Sequence, residues 1–579
     1  MTTPELLTEP QEAARARADL LEERLGDPTE PDNPVGYRAL LKADAQAVLS
    51  RPGEALLDDF GMHAEFVPRW LGGRLESIDS LVRVMRPVFR RDAALGMGYG
   101  TMSFMGAADV WLAGSEEQQR WLASVVLGGG RVAIAQHETA HGNDFVRSGI
   151  TARRASGGFV LNGAKPMINN LERADALTLF CRTRPEPGRH SHTALLLDLE
   201  EVPETRSLVL PCNPGLGLRG CRWAGLEFQD CPAPESALLG PEGGGLRTAL
   251  RSFQISRTVM SALSVGAVDT NLRTAVRFDQ EHIPGSTQEA MDPRRTVSAL
   301  AGAFTDLLLY DCLAVVATRA IQLLPEQTSV YSSAVKYLLP RVLSQTMYDL
   351  SIVLGSKLYE RDGTIGVFQK HLRDVPVISL GHAGSAACQA TIIPQLRALA
   401  WDSWLREKEA PAELFQTDAP LPPLRTDRLG VACGKDALSA TLVAVADQIP
   451  RRRPVERVLA QLADVLVGEL RDLRERVLAL PERAQGGPAG PAAFTLTDRY
   501  TRVLAAAAVL GVWWHNRSGP DPFLADPSWA AAALHRLARA LGARVPDLPR
   551  ECEARIHHEV LARFGDRRSY DLYNSPVSG

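Results

Sequence analysis

The rhythm of apolar positions changes along the chain, and the changes divide it. Over residues 1–130, Leu- and Ala-rich segments recur without strand-like alternation and are punctuated by Gly and Pro, which predicts an N-terminal helical domain. The clearest helix start is GSEEQQRWL at 114–122. Ser115 is placed to cap it, and Glu116 and Glu117 fall in the first turn, where the macrodipole favours anions. Residues 131–242 read differently. ITARRASGGFVLNGAKPMI alternates through a Gly-Gly turn and predicts a hairpin, and ALTLFCRT, HTALLLDLE and WAGLEFQD are short apolar runs between turn clusters. The stretch predicts a small β-domain, barrel or sandwich. Helical patterns return over 243–405, with Pro340 expected to kink or end one of the helices. Pro411, Pro420, Pro422 and Pro423 crowd the stretch 406–430, which predicts a linker. Residues 431–579 form an additional helical domain in this reading, interrupted by GGPAGPAA at 486–493.

Composition narrows the function classes. The 579 residues are 45 % hydrophobic and 23 % charged, as in ordinary globular proteins. A net charge of −4 supplies no strong field for nucleic acid or anionic lipid. The run Arg451-Arg452-Arg453 reads as solvated surface. None of the eight cysteines forms a C-x-x-C pair, so they read as small buried hydrophobes in a reducing compartment rather than zinc ligands or a redox dithiol. The N-terminus lacks the order of a signal peptide, and no run of 18 apolar residues is present. A cytoplasmic protein without a membrane span is expected.

Helices, then a small β-domain, then a long helical domain is a distinctive order, and particular residues strengthen it. His137-Glu138-Thr139-Ala140-His141-Gly142-Asn143-Asp144, Asn162-Gly163-Ala164-Lys165, Gly217-Leu218-Arg219-Gly220, the strand Leu226–Asp230, the exit Pro234–Gly240, Arg257 with Gly266, and Arg373-Asp374 follow one another with the spacing of one family. The chain resembles the acyl-CoA dehydrogenase superfamily over residues 114–390. The resemblance implies an α+β fold of N-terminal helical domain, middle β-domain and C-terminal four-helix bundle. The tail resembles the extra helical domain of very-long-chain relatives in length and helicity only.

A member of this family desaturates an acyl thioester. A base removes the α-proton, and the β-hydride passes to FAD in a dry pocket that stabilises the enolate. Most members carry the base as a glutamate nine residues after the arginine of Arg-Asp. That count from Arg373 lands on His382, and the minority base position, beside Arg257, is Ser256. Both lack a carboxylate. His382 is the remaining candidate, either as a base with a pKa near neutrality or as filler.

The resemblance assigns cofactor contacts to Gln136, His137, Asn143, Met167, Ile168, Asn169, His282, Gly384 and Ser385, and substrate contacts to Asn143 and Arg257. Several of these are altered: the usual Trp-Ile-Thr of the flavin strand is Met167-Ile168-Asn169. The arginine that meets the FAD pyrophosphate across the subunit interface is His282, with Arg277 one turn away, and the paired glycines are Gly355-Ser356. Gly243-Gly244-Gly245 reads as an exit turn, Trp513-Trp514-His515 as buried core, and His137 with His141 as loop residues rather than metal ligands.

The expected activity is that of an FAD-dependent oxidoreductase on CH–CH groups of an acyl-CoA or acyl-carrier-protein thioester. The rewritten positions point to specialised metabolite or antibiotic biosynthesis, in a homodimer or homotetramer. Redox-neutral cyclisation, such as cyclopropane formation, and decarboxylation followed by oxidation are alternatives on the same fold. A non-catalytic acyl-binding or assembly protein is the alternative from another class.

Overall fold

The computed structural model describes residues 5–142, 144–281, 293–380, 384–481 and 490–579. Seven helices come first: α1 (Glu5–Leu25), α2 (Tyr37–Ala45), α3 (Arg51–Phe60), α4 (Ile78–Arg91), α5 (Ala93–Gly96), α6 (Met102–Ala113) and α7 (Glu116–Leu127). Local chemistry sets their ends. The Ser115 side chain accepts from the Gln118 amide while Gln118 bonds back to the Ser115 amide, so α7 opens with a capping box. The Ser50 side chain caps α3 by accepting from the Gly53 amide, and Gly61 ends it at φ +72°. Helix α4 is buried on every side, arginines included, and is the central post of the helical part. A wider π-turn over Met97–Thr101 joins α5 to α6.

The β-domain has strands β1 (Val132–Ala135), β2 (Thr151–Ala155), β3 (Gly158–Asn169), β4 (Ala176–Arg182), β5 (His192–Asp198), β6 (Ser207–Asn213), β7 (Trp223–Pro234) and β8 (Leu238–Leu239). Hydrogen bonding joins them into one mixed sheet of order β6-β7-β3-β2-β4-β5-β8, with β1 parallel to β4. The β2–β3 hairpin turns where Ala155 pairs with Gly158, at the expected Gly-Gly turn. In β3 the register against β7 shifts between Lys165 and Ile168, around Pro166, which has no amide to donate. Lys165 is fully buried, while Met167, two residues on, is 41 % exposed. The irregularity breaks the alternation that would put both on one face.

Helices α8 (Gly245–Glu281), α9 (Pro293–Leu323), α10 (Thr328–Leu354) and α11 (Gly363–Leu380) form the bundle, followed by α12 (Ser385–Ile392) and α13 (Leu396–Ala398). Helix α10 runs through Pro340 without ending. One helix, Arg294–Leu323 within α9, is long and apolar enough to cross a membrane, but 89 % of its apolar window is buried inside the protein, as in a core helix.

Helices α14 (Ala437–Ala446), α15 (Pro454–Ala479), α16 (Pro491–Asn516), α17 (Pro527–Ala540) and α18 (Arg550–Gly565) make up the tail. Its apolar side chains belong to one contiguous core with α1, α4 and α8–α10. The stretch 406–430 lies as a strap against the bundle. Arg319, fully buried, donates to the carbonyls of Glu413 (2.7 Å), Thr417 (3.3 Å) and Ala419 (2.6 Å), and Arg251 donates to those of Thr426 and Leu429. Beyond α18 the chain returns to the N-terminal helices. Asp571 meets Arg86 at 3.1 Å, and the Tyr573 hydroxyl donates to Asp79 at 2.7 Å. Trp513 is buried, Trp514 and His515 are half-buried, and Arg451–Arg453 are exposed. None of the eight cysteines forms a disulfide, and six of them are buried.

Candidate functional site

The end of β1 and the middle of β3 are tied together by one buried ion pair. Lys165 Nζ lies 3.0 Å from Glu138 Oε1 and donates to the Gln136 carbonyl (3.0 Å) and to Ser148 Oγ (2.6 Å). Glu138 also accepts from Ser148 Oγ (2.7 Å) and from the amides of Gly149 (2.8 Å) and Ile150 (3.3 Å). Burial pushes the Glu138 carboxyl up, but the Gly149 amide, Lys165 and Ser148 outweigh it and hold its pKa below the usual value. Burial also pulls the Lys165 ammonium down, against the opposing pull of Glu138. The pair fixes the loop that carries Gln136 and His137 onto β3.

Behind that loop stands Asp109 of α6. Gln136 Nε2 donates to Asp109 Oδ2 at 3.3 Å. Burial drives the Asp109 carboxyl up to about 7, against the pull of Ser252 and Gln136. With its amide nitrogen committed, Gln136 keeps a buried carbonyl oxygen, Oε1, with no donor; Asn169 Oδ1 at the end of β3 is in the same condition. Ile168 turns its side chain into the sheet's own core, so only its backbone is available to a ligand. Asn170 follows at φ +58° and donates to the Gly98 carbonyl at 2.5 Å, which anchors the end of β3 to the π-turn.

The opposite wall is helical. The His137 ring stacks on Phe253 of α8 at 6.0 Å between centroids and 8° between planes. Burial, with Lys165, Arg257 and Lys336 nearby, lowers the His137 pKa to about 4, so its imidazole is neutral at pH 7. Arg257 is 2 % exposed and donates through Nη1 to Ser333 Oγ (2.9 Å) on α10 and Thr391 Oγ1 (3.2 Å) on α12. Lys336, also 2 % exposed, donates to the Ile378 carbonyl (2.7 Å) in the last turn of α11. Burial lowers the Lys336 pKa to about 8, with Arg257 adding to the effect.

The Arg373-Asp374 pair holds α11 in place. Asp374 accepts from the Leu218 amide at 2.7 Å, and a Cβ on Gly217 would lie 2.6 Å from the Arg373 carbonyl oxygen. Glycine is required there because backbone meets backbone. Arg373 also pairs with Asp44 of α2.

Of the residues assigned from sequence, Gln136 and His137 follow the end of β1, and Ile168 and Asn169 close β3, whose middle is tied to Gln136 through Lys165. Arg257 stands behind Phe253, and Gly384 caps α12 with Ser385 as its first residue. Met167 points outward. His382, Asn143 and His282 lie outside the described residues. Two residues were missed: Asp109 and Lys336. Each is a lone charge inside an apolar helical run, MSFMGAADVWLA and SSAVKYLLP, and that isolation was the available signal.

No family model matches the chain. A *Bacillus subtilis* (strain 168) acyl-CoA dehydrogenase is 28 % identical over 218 residues, 38 % of this chain and 57 % of that protein. The mitochondrial isovaleryl-CoA dehydrogenase of *Oryza sativa* subsp. *japonica* is 26 % identical over 224 residues, 38 % of this chain and 54 % of that one. The chain thus matches little more than half the length of these relatives. Among solved structures, butyryl-CoA dehydrogenase from *Megasphaera elsdenii* superposes with a TM-score of 0.59 at 20 % identity, covering 67 % of this chain and 98 % of that one. The prolyl acyl carrier protein oxidase AnaB gives 0.57 at 18 % identity, with 68 % and 98 % covered. PigA with FAD and proline gives 0.56 at 19 % identity, again with 68 % and 98 % covered.

Proposed function

From a chain that is a divergent relative of the acyl-CoA dehydrogenase superfamily in sequence and in fold, we propose an FAD-dependent enzyme that acts at the α and β carbons of an acyl thioester, carried by CoA or a carrier protein, in specialised metabolism. The observation that carries this reading is the pair of buried acceptors, Gln136 Oε1 and Asn169 Oδ1, which no described residue satisfies. Buried acceptors are ordinarily paired, and the single ring N–H of an oxidised flavin, on its pyrimidine edge, would supply the donor to one of them. The residues fit the group: Gln136 and Asn169 would take its polar edge, the Ile168 backbone would lie alongside, and Gly384 and Ser385 would border it at the start of α12. When bound, FAD supplies the acceptor for a hydride leaving the β carbon.

The chain's own residues do the rest. The Lys165–Glu138 pair holds the Gln136–His137 loop against β3. His137, neutral at pH 7 and stacked on Phe253, contributes a ring face and a hydrogen-bonding nitrogen. The base falls to His382. A homodimer or homotetramer belongs to this reading, and the exposed Tyr348 and Ile352 on α10, one turn apart, support it.

The test is the visible spectrum of the purified protein, identification of the released flavin, and anaerobic titration with butyryl-CoA and acyl-carrier-protein thioesters. A flavin spectrum that bleaches with a thioester supports the reading. A colourless protein that takes up no FAD overturns it and favours an acyl-binding or assembly role.

A second reading draws on Arg257 and Lys336, two buried cations with no carboxylate partner among the described residues. It favours a substrate that brings its own carboxylate and loses it as carbon dioxide, which forms the enolate without a base. Release of labelled carbon dioxide from a carboxyl-labelled thioester tests it.

A further inference from the structure

Most buried charges in this protein are matched. Arg86, Arg90, Arg319, Lys165 and Lys370 each face a carboxylate within 3.1 Å. Four do not among the described residues: Arg91 and Arg273, which donate to backbone carbonyls, and Arg257 and Lys336, each 2 % exposed. Arg257 spends only Nη1, on the hydroxyls of Ser333 and Thr391. Its Nε is buried without an acceptor among the described residues. The Nε–Nη2 edge is the planar two-donor fork that matches a carboxylate. Lys336 stands one helical turn beyond Ser333 on the same helix and donates to one neutral carbonyl, which leaves two of its three protons free. Burying a cation without a counter-charge is costly, and Arg257 is near enough to Lys336 to disfavour its charge, a repulsion that an anion from elsewhere would relieve. Ser385, Ala387 and Thr391 of α12, the helix whose Thr391 accepts from Arg257, are half-buried.

We propose that Arg257 and Lys336 form a carboxylate-binding subsite, and that the anion it takes is a carboxylate borne by the acyl group of the substrate. This rests on the thioester reading above. The guanidinium fork would hold both carboxylate oxygens, the ammonium would supply the second positive charge, and the Ser333 and Thr391 hydroxyls would keep the guanidinium in plane. The ligand class is an acyl thioester with a free carboxylate on the acyl chain, as against a plain fatty acyl thioester.

The experiment uses the full-length, FAD-loaded protein and two probes of equal chain length, succinyl-CoA and butyryl-CoA, which differ by a carboxylate in place of a methyl group. Binding is read by calorimetry in the wild type, Lys336→Met and Arg257→Gln. A separate arm, independent of thioester chemistry, follows the melting temperature with sodium propionate against sodium chloride at equal ionic strength. The expected result is a Kd for succinyl-CoA at least about tenfold lower than for butyryl-CoA in the wild type, since one close charge-assisted pair is worth a factor of that order. The preference should fall below about threefold in both variants, and the propionate-specific melting shift should vanish with it. If neither thioester binds but propionate still stabilises the wild type and not Lys336→Met, the subsite stands and the thioester reading fails. Equal binding of the two thioesters, a preference that survives both substitutions, or a chloride shift equal to the propionate shift overturns the subsite.

Folding is controlled within the same set. Without ligand, Lys336→Met should melt no lower than the wild type, because it removes an uncompensated buried cation. A lower melting temperature with the carboxylate preference intact would reduce Lys336 to a cap on the end of α11 and would also overturn the proposal.

Discussion

Glu138 and Lys165 belong to two separate sequence motifs, and in the fold they are one buried ion pair, 3.0 Å apart, with Lys165 fully buried. The pair is built as buried pairs must be. Glu138 has two amides and a hydroxyl besides the lysine, and Lys165 has a carbonyl and a hydroxyl besides the glutamate. Through the Gln136 carbonyl it sets the position of the loop that borders the proposed cofactor site.

Breaking one side of this pair leaves a charge uncompensated in the sheet core. Lys165→Met and Glu138→Gln should each cost about 3–5 kcal/mol in urea unfolding, and each should lower FAD content on purification. The double variant should recover part of the loss, because no lone charge remains. Additive losses in the double variant would show that the two residues act independently.

Asp109 makes stability depend on pH in a defined direction. Its ordinary value is 3.8, and burial raises it to about 7 in the fold. The unfolded chain therefore releases this proton first. The contribution of the neutral carboxyl is full below pH 3.8, is lost between 3.8 and about 7, and changes no further above that. Asp109→Asn keeps a partner for Gln136 and carries no charge to bury. It should match the wild type near pH 4 and exceed it at pH 8 by on the order of 2–4 kcal/mol. A difference between the two proteins that is the same at both pH values would contradict the assignment.

The order of domains is legible in the sequence because each part has its own period, alternating in ITARRASGGFV and helical in the run through Arg257. Gln136, His137 and Asn169 were singled out through the spacing of family motifs. The partners of these residues are long-range and leave no local pattern: Asp109 reaches Gln136 across 27 positions, and Arg257 reaches Thr391 across 134. The strap is a sharper case. Its prolines read as a linker, yet its carbonyls are taken up by Arg319, 94 to 100 positions away in the chain, and by Arg251, 175 to 178 positions away, and neither separation leaves a local signal. The shift in β3 around Pro166 was likewise hidden, because period-two alternation places Lys165 and Met167 on one face.

His382 carries the base in the proposed reaction. His382→Ala should lower kcat by about 10²–10⁴, the usual scale for a general base, and its pH profile should lose an ionisation near neutrality. Unchanged kcat with substrate still reducing the flavin would remove the histidine from the base role and favour the decarboxylative reading. His137→Ala should leave that ionisation in place, because His137 titrates only at about 4.

The strap predicts a pattern of proteolysis. Arg319→Met removes three donors to the carbonyls of residues 413–419 and leaves Asp79 with one partner fewer. Trypsin should then cut at Arg425 or Arg428 well before it does in the wild type, with the cores of α8 and α9 still intact. Unchanged cleavage would mean that the strap is held by its apolar contacts alone.

The last eleven residues should matter more than any charge within them. Asp571 meets Arg86 and Arg90, but Arg86 also has Asp311, and Arg90 has Glu22 and Asp269. Burial pushes the Asp571 carboxyl up, and the two arginines outweigh it and hold it below the usual value, while burial leaves Asp269 and Asp311 raised. Carboxylates outnumber arginines in the cluster, so neutralising one leaves both arginines paired. Asp571→Asn should cost no more than about 1–2 kcal/mol. Deleting residues 569–579 is different in kind. It strips the buried Tyr570 and Leu572 from the core and removes the amide donors of Tyr570 to Asp269 and of Leu572 to Asp311. Two large apolar side chains and the two lost amide donors should together cost at least about 5 kcal/mol. Urea unfolding of the two variants beside the wild type reads both effects, and a truncation as mild as Asp571→Asn would mean that the returning segment only rests on the helices it covers.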